Sequence, residues 1–153
     1  MFWKLVGATA VFVLGTIAQA QTTKVPIEIS LEPQAIFVTA EVNGHKARLL
    51  LDTGAIVTLA DPVRLGVTEA ELSQSSKVTV FDAHASRTIP MLSTDVCLGG
   101  LRFRVPVLLD SKLSQPGGYG EIDGLLGLDL LGRFDSFTID RKAKTLELTV
   151  LPK

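Results

Sequence analysis

A carboxylic acid, a small hydroxyl residue and a glycine directly follow an apolar run in this chain. Residues 49–51 are all leucine, and they lead into Asp52, Thr53 and Gly54. An acid at that point lies where a buried strand ends and a loop begins, and a Thr-Gly pair suits a tight loop with close backbone approach. Because a carboxylate is costly in such a place without a partner, Asp52 is the first candidate for a reactive group.

The sequence around this loop predicts short strands separated by turns. Residues 24–31 alternate between apolar and polar side chains, which is typical of a half-buried strand. Asn43 and Gly44 form the strongest two-residue hairpin signal, and they lie between predicted strands at 36–42 and 45–51. The alternation gives way to a wholly apolar end in 45–51, so we expect both faces of that strand to be covered where it reaches the acid.

The second half of the chain continues in the same way. Three more hairpins are predicted, with strands at 78–81 and 88–92, at 94–98 and 101–109, and at 134–139 and 145–151. Loops are expected at 68–76, which is polar, and at 111–120, which is rich in glycine. A short helical turn is expected within 57–65, where Asp61 and Pro62 suit the first positions of a helix. The terminal strands, 24–31 and 145–151, can pair within one chain or between two chains, and both alternatives stay open.

The first twenty residues have the three regions of a secretory signal peptide. The charged start holds Lys4, residues 5–18 are mostly apolar, and residues 18–20 have the small-x-small pattern of a cleavage site. An uncleaved anchor is the alternative, but the 14 residues of 5–18 fall short of the ~20 that span a bilayer. Cleavage would leave a single domain, 21–153, in an exported protein that is periplasmic or secreted.

Composition argues against several classes of partner and cofactor. The formal net charge of the whole chain is −1, and the first twenty residues hold one lysine and no acid, so the remainder carries −2. Without a block of basic residues, nothing points to nucleic acid. Cys97 is the only cysteine, and His45 and His84 are the only histidines. An intrachain disulfide is therefore impossible, a Cys/His metal site is not expected, and no cofactor is predicted.

Two motifs together resemble a known family. Residues 50–55 read Leu-Leu-Asp-Thr-Gly-Ala, and residues 125–127 read Leu-Leu-Gly. This combination resembles the retropepsin-like aspartic proteases, the single-domain relatives of pepsin and of retroviral proteases. The resemblance runs in order over nearly all of 21–153. The subgroup that looks most similar is the exported bacterial members, which share the Gly-Leu-Leu-Gly-x-Asp-x-Leu pattern found here at 124–131.

The resemblance implies an all-β fold and an aspartic endopeptidase. The fold would be a closed acid-protease-type β-barrel with a flap hairpin and one short helix after the Leu-Leu-Gly motif. Hydrolysis of a peptide bond by this route needs two carboxyl groups that share one proton, because like charges about 3 Å apart cannot both ionise. One takes a proton from a water molecule and the other polarises the scissile carbonyl. No second Asp-Thr-Gly or Asp-Ser-Gly exists here, so the implied partner of Asp52 is Asp52 of a second copy in a homodimer.

The same resemblance assigns roles to the neighbours of the catalytic Asp52. Thr53 would lock the two active-site loops together through hydrogen bonds. The loop would also be supported by Gly54, Leu126 and Gly127. The residues implied to contact a peptide substrate are Gly54, Ala55, Ile56 and Leu125 and, at the tip of the flap hairpin, Asp82, Ala83 and His84.

Two departures from the retroviral pattern affect the predicted cleft. Retroviral members commonly place an Asp and an Arg, as an ion pair, where this chain has Ile56 and Leu128. Replacing both partners by apolar residues can be neutral or stabilising, so we expect a less polar edge to the cleft. The predicted flap tip, 82–87, contains no glycine, unlike the glycine-rich retroviral flaps, and His84 can equally be a solvated loop histidine.

Two other functions are compatible with parts of this pattern. A non-catalytic peptide-binding or regulatory domain would keep the fold, and an isolated monomer of this kind would leave Asp52 unpaired. A plain β-barrel with a chance Asp-Thr-Gly is the third interpretation, and the second motif at 125–127 argues against it. The complete Asp-Thr-Gly-Ala favours the homodimeric protease.

Overall fold

The computed structural model describes residues 20–31, 34–81, 86–113 and 122–150. In chain order its elements are β1 (Gln21–Leu31), β2 (Gln34–Val42), β3 (His45–Leu51), β4 (Leu59–Ala60), α1 (Glu69–Gln74), β5 (Ser76–Phe81), β6 (Ser86–Leu98), β7 (Leu101–Leu109), β8 (Gly124–Leu126), α2 (Leu128–Leu131), β9 (Ser136–Asp140) and β10 (Thr145–Val150). Residues 1–19 of the predicted signal segment lie outside the described residues, as do the flap-tip residues Asp82, Ala83 and His84 and most of the predicted glycine-rich loop.

The ten strands form one sheet in the order β5-β6-β7-β4-β8-β3-β2-β1-β10-β9. An additional pairing joins β2 to β6, where Glu41 faces Cys97 and Val42 faces Val96. β6 and β2 are the first and last of six consecutive strands in this order, β6-β7-β4-β8-β3-β2. Their pairing therefore closes these six strands into a ring. The prediction of an all-β fold is confirmed, and the predicted closure takes the form of this ring.

Both faces of β3 are covered where it approaches Asp52. β3 and β8 run parallel, with Leu49 facing Gly124, Leu50 facing Leu125 and Leu51 facing Leu126. Leu49, Leu51 and Leu126 pack in the larger apolar cluster of the fold. Leu50 and Leu125 pack in a second, smaller cluster. The strand thus separates two apolar clusters, which is why its sequence loses the alternation of a half-buried strand.

The two ends of the described chain pair with each other. Residues 21–26 of β1 pair antiparallel with β10, and residues 27–31 pair antiparallel with β2. β9 continues this sheet on the far side of β10. Of the two alternatives that the sequence leaves open for the terminal strands, the structure has the pairing within one chain.

The polar segment 68–76 contains a helix, so the prediction of a loop there is wrong. α1 begins with a capping box. The Thr68 hydroxyl accepts a hydrogen bond from the Glu71 amide at 3.3 Å, and the Glu71 carboxylate accepts one from the Thr68 amide at 2.8 Å. The Thr-x-x-Glu spacing of this box is visible in the sequence, although the polar composition around it favours a loop.

The other helical predictions agree with the structure. α2 follows the Leu-Leu-Gly motif directly. The segment 57–65 ends in a single turn, in which the Leu65 amide donates to the Asp61 carbonyl at 3.1 Å. The Asp61 carboxylate accepts from the Val63 amide at 2.8 Å, as the first residue of such a turn should. Neither helix of the described chain is long and apolar enough to cross a membrane.

The capping box predicts a pH dependence for α1. Hydrogen bonds from the Thr68 amide and then from the Thr68 hydroxyl hold the pKa of Glu71 below its ordinary value of 4.5. A carboxyl group whose pKa is lowered on folding stabilises the fold above its unfolded pKa, and this contribution is lost as the pH falls through the folded pKa. We therefore expect α1 to fray below about pH 4.5, as measured by the Cα chemical shifts of residues 69–74 between pH 6 and pH 3.

Glu71→Gln should weaken α1 already at pH 6 and remove most of this pH dependence. Glu69→Gln is the matched control, because Glu69 lies in the same first turn and takes no part in the box. A Glu69→Gln variant that lost the pH dependence equally would contradict the assignment to Glu71.

Candidate active site

The loop after β3 is shaped by hydrogen bonds of Asp52 itself. One carboxylate oxygen of Asp52, Oδ1, accepts from the Gly54 amide at 2.8 Å. The Asp52 carbonyl accepts from the Ala55 amide at 3.2 Å, which closes a four-residue turn. A short acidic side chain that bonds the backbone two residues further on is a common way to set such a turn. The carboxylate is partly exposed, and its position relative to the backbone is fixed by these bonds.

The second motif holds this loop through main-chain hydrogen bonds. The Asp52 amide donates to the Leu126 carbonyl at 3.1 Å. Beyond the turn, the Leu128 amide donates to the Ala55 carbonyl at 2.8 Å, and the Asp129 amide donates to the Ile56 carbonyl at 3.1 Å. These bonds satisfy amides at the start of α2 that have no partner within the helix. The Asp52 loop is thus attached along its length to the chain between β8 and α2.

Buried hydrogen bonds of the Thr58 hydroxyl, here called the Thr58 bridge, join the segment after the Asp52 loop to the start of α2. The hydroxyl of Thr58, a fully buried residue, donates to Asp129 Oδ1 at 2.7 Å and accepts from the Gly127 amide at 3.2 Å. Asp129 Oδ1 also accepts from the Thr58 amide and from the Leu130 amide, each at 2.9 Å. Sequence reasoning missed this bridge, because Thr58 and Asp129 are 71 residues apart and only the folded chain brings them together.

Gly127 is needed here because two segments of the main chain pass in close contact. Its φ of −93° suits any residue. A Cβ atom at this position, however, would lie 2.6 Å from the Val57 carbonyl carbon and 2.9 Å from the Thr58 nitrogen. These are backbone atoms that cannot rotate away, so only glycine lets the segment after Asp52 approach the start of α2.

An apolar cleft of about 420 Å³ lies beside the loop. The segment after Asp52 contributes five lining residues: Gly54, Ala55, Ile56, Val57 and Leu59. The β5–β6 hairpin and β7 contribute the others: Val80, Phe81, Arg87, Ile89 and Leu108. Arg87 is the one charged side chain among these residues, so the cleft suits an extended chain with apolar side chains more than a charged small molecule.

The structure brings some of the sequence-predicted site residues to this cleft and not others. Gly54, Ala55 and Ile56 line it, and Thr53 is exposed at the tip of the loop. Leu126 and Gly127 lie behind the loop, where they make the main-chain contacts described above. Leu125 is buried in the smaller apolar cluster and is not among the residues that line the cleft. Asp82, Ala83 and His84 lie outside the described residues.

The two apolar departures from the retroviral pattern lie next to each other at the surface. Ile56 is 77% exposed and Leu128 is 41% exposed. Their main chains are adjacent, because the Leu128 amide donates to the Ala55 carbonyl and the Asp129 amide donates to the Ile56 carbonyl. Ile56 and Leu128 therefore expose apolar area on two neighbouring segments beside the Asp52 loop.

The described residues contain no group of three or more His, Cys, Asp or Glu side chains that could hold a metal ion.

Comparison with known proteins supports the fold. A scan against protein-family models finds no match, and a search of curated proteins finds none. Among solved structures, the chain is similar to the crystal structure of a retropepsin-like aspartic protease from Rickettsia conorii. The TM-score is 0.59 and the sequences are 22% identical, over 86% of this chain and 93% of that chain. At this identity the likeness shows the fold alone, and it confirms the prediction of an acid-protease-type fold.

The Thr58 bridge predicts the effect of removing one hydroxyl. Thr58→Val keeps the shape of the side chain but leaves the buried Gly127 amide without its partner. We expect a loss of about 1–3 kcal/mol in the free energy of unfolding, together with shifted amide resonances for residues 52–57, measured by denaturant titration and by NMR.

Thr94→Val is the matched control. Thr94 is also buried, and its hydroxyl donates to Asn43 Oδ1 at 3.0 Å in the β2–β3 turn. This variant should lose stability without moving the resonances of 52–57. Equal shifts in both variants would show that Thr58 does not specifically hold the Asp52 loop.

Proposed function

We propose that this chain is an aspartic endopeptidase whose active site is assembled from two copies, each contributing Asp52. The observation that carries the proposal is the position of Asp52 in an acid-protease-type fold. It stands at the end of a buried strand, in a loop held by the Leu126–Leu128 main chain and beside an apolar cleft.

The chemistry requires a second carboxyl group close to Asp52. Two carboxyls that share a proton can activate water with one member and polarise a carbonyl with the other. The chain has one Asp-Thr-Gly. A second copy related by a two-fold axis supplies the same residue from the same loop, and such self-complementary contacts are the commonest form of protein dimer.

The surface around the loop supports contact with a second copy. Thr53 is exposed at the tip of the loop, where its hydroxyl can bond across a two-fold axis. Ile56 and Leu128 expose apolar area beside it. Covering that area is favourable by about 25 cal/mol for each Å² removed from water.

The cleft supports a peptide as the substrate. In this proposal Gly54 lies against the peptide backbone, and Ala55 and Ile56 contact its side chains. Leu125, which is buried beneath the loop, contributes through packing and not through contact. Asp82, Ala83 and His84 enter the proposed substrate contacts through the family resemblance alone.

Replacing Asp52 tests the proposed chemistry. Asp52→Asn should lower the cleavage of a mixed peptide library at pH 4–6 by at least about 1,000-fold, because an amide cannot take a proton from water. Mass spectrometry of the products, with and without a statine-type inhibitor, measures the cleavage.

Asp95→Asn is the matched control for the loss of a carboxylate. Asp95 pairs with the exposed Arg102 and Arg104 and is not among the residues that line the cleft. The Asp95→Asn variant should cleave the peptide library at the wild-type rate. Cleavage that survives in Asp52→Asn would show that Asp52 is not the catalytic carboxyl group. Absence of cleavage by the folded wild-type protein under all these conditions would leave the non-catalytic peptide-binding domain as the better account.

We further propose that the protein is exported with residues 1–20 removed. Expression of the full chain in a bacterium with a periplasm should yield, by intact mass, a protein that begins at Gln21. Ala18→Leu should slow this processing, because the cleavage site requires small residues. Recovery of the wild type with residues 1–20 still attached would support the uncleaved anchor instead.

A further inference from the structure

The outer part of the β5–β6 hairpin extends beyond the closed ring. β5 pairs with residues 86–91 of β6, whereas the pairing of β6 with β7 begins only at Met91. Residues 76–81 and 86–90, here called the ribbon, are therefore two strands without a third strand among the described residues. A ribbon of two strands is marginally stable by itself, so its position over the cleft depends on what attaches it to the ring.

A short ion pair attaches the ribbon to the end of β7. Arg87 Nη1 lies 2.6 Å from Asp110 Oδ2. The Asp110 side chain is 7% exposed and that of Arg87 is 35% exposed. Asp110 is itself anchored, because its amide donates to the Ala60 carbonyl at 2.9 Å and its Oδ1 accepts from the Lys112 amide at 3.1 Å. One end of the pair is thus fixed in the body of the fold and the other is on the ribbon.

The position of Arg87 relates this ion pair to the Asp52 loop. Arg87 faces Val80 across the ribbon, and both residues line the cleft together with Gly54 and Ile56 of the loop. Because residues of the ribbon and of the loop line the same cleft, a change in the inclination of the ribbon changes the shape of the cleft. The neighbouring Phe81 lines the same cleft and is 83% exposed, so its own packing does little to hold the ribbon in place.

Burial distinguishes this pair from the ion pairs between β6 and β7. Asp95 lies 3.5 Å from Arg102 and 3.4 Å from Arg104, with all three side chains at least 40% exposed. Exposed pairs of that kind contribute little. Removing Arg87, by contrast, would leave the largely buried Asp110 carboxylate without its counter-charge, and removing one partner of a buried pair is strongly unfavourable.

We propose that the Arg87–Asp110 ion pair holds the ribbon over the cleft and makes Arg87 a positioning residue for whatever occupies it. That the occupant is a peptide substrate rests on the proposed function, whereas the attachment of the ribbon does not.

Hydrogen–deuterium exchange of the ribbon amides tests the attachment without reference to activity. Arg87→Met and Asp110→Asn should each raise the exchange of residues 76–81 and 86–90 by about 5- to 30-fold. In the double variant the ribbon amides should exchange no faster than in the faster single variant, since the two substitutions remove the same ion pair. Arg104→Met removes an exposed arginine from β7 and is the control. In this variant the ribbon amides should exchange at the wild-type rate.

Exchange at the wild-type rate in Arg87→Met and Asp110→Asn, or additive effects in the double variant, would overturn the proposal. If Asp110→Asn does not fold, Arg87→Met decides alone, because the substitution lies on the ribbon.

Cleavage assays then separate this proposal from the proposed function. If the wild type cleaves peptides, Arg87→Met should raise KM by about 5-fold or more with a smaller change in kcat, and Arg87→Lys should restore part of the loss. An unchanged KM in a protein whose ribbon has loosened would overturn the positioning role. If the wild type does not cleave and the ribbon still loosens in Arg87→Met, the proposed function fails and the attachment stands.

Discussion

The close passage of two segments of the main chain near Asp52 is the constraint on which the rest of this structure depends. A Cβ atom on Gly127 would lie within 3 Å of the backbone of Val57 and Thr58. This approach lets the Leu126 carbonyl and the Leu128 amide bond the two ends of the Asp52 loop. The parallel pairing of β3 with β8 brings the two segments side by side, and the apolar clusters on both faces of that pair keep them there.

One consequence is that the loop is held by hydrogen bonds on the side that faces the protein and is exposed on the other. Its carbonyls and amides are bonded to the second motif, and Thr58 and Asp129 join the segments below. The outer side carries Thr53, Ile56 and the partly exposed Asp52 carboxylate. A preorganised group at a surface is what an active site shared between two subunits requires, because each copy must present its half in a fixed position before they meet.

Local sequence signals predicted the elements that depend on neighbours in the chain. Asn43 and Gly44 both adopt positive φ in the β2–β3 turn, as their residue types lead one to expect. The wholly apolar end of β3 correctly indicated cover on both faces. α1 was missed because its polar composition outweighed the Thr68–Glu71 capping box. The Thr58–Asp129 and Arg87–Asp110 contacts could not be predicted, since each joins residues whose proximity is decided by strand order and not by spacing.

Subunit mixing most directly tests the central claim that Asp52 is half of an active site. Wild-type chains would be mixed with Asp52→Asn chains under conditions that allow exchange, and peptide cleavage would be measured per wild-type chain. If two copies share the site, this activity falls to about half in an equal mixture and towards zero in excess of the variant, because mixed dimers carry one carboxyl. Activity that stays proportional to the amount of wild-type chain, whatever the excess of variant, would contradict the account.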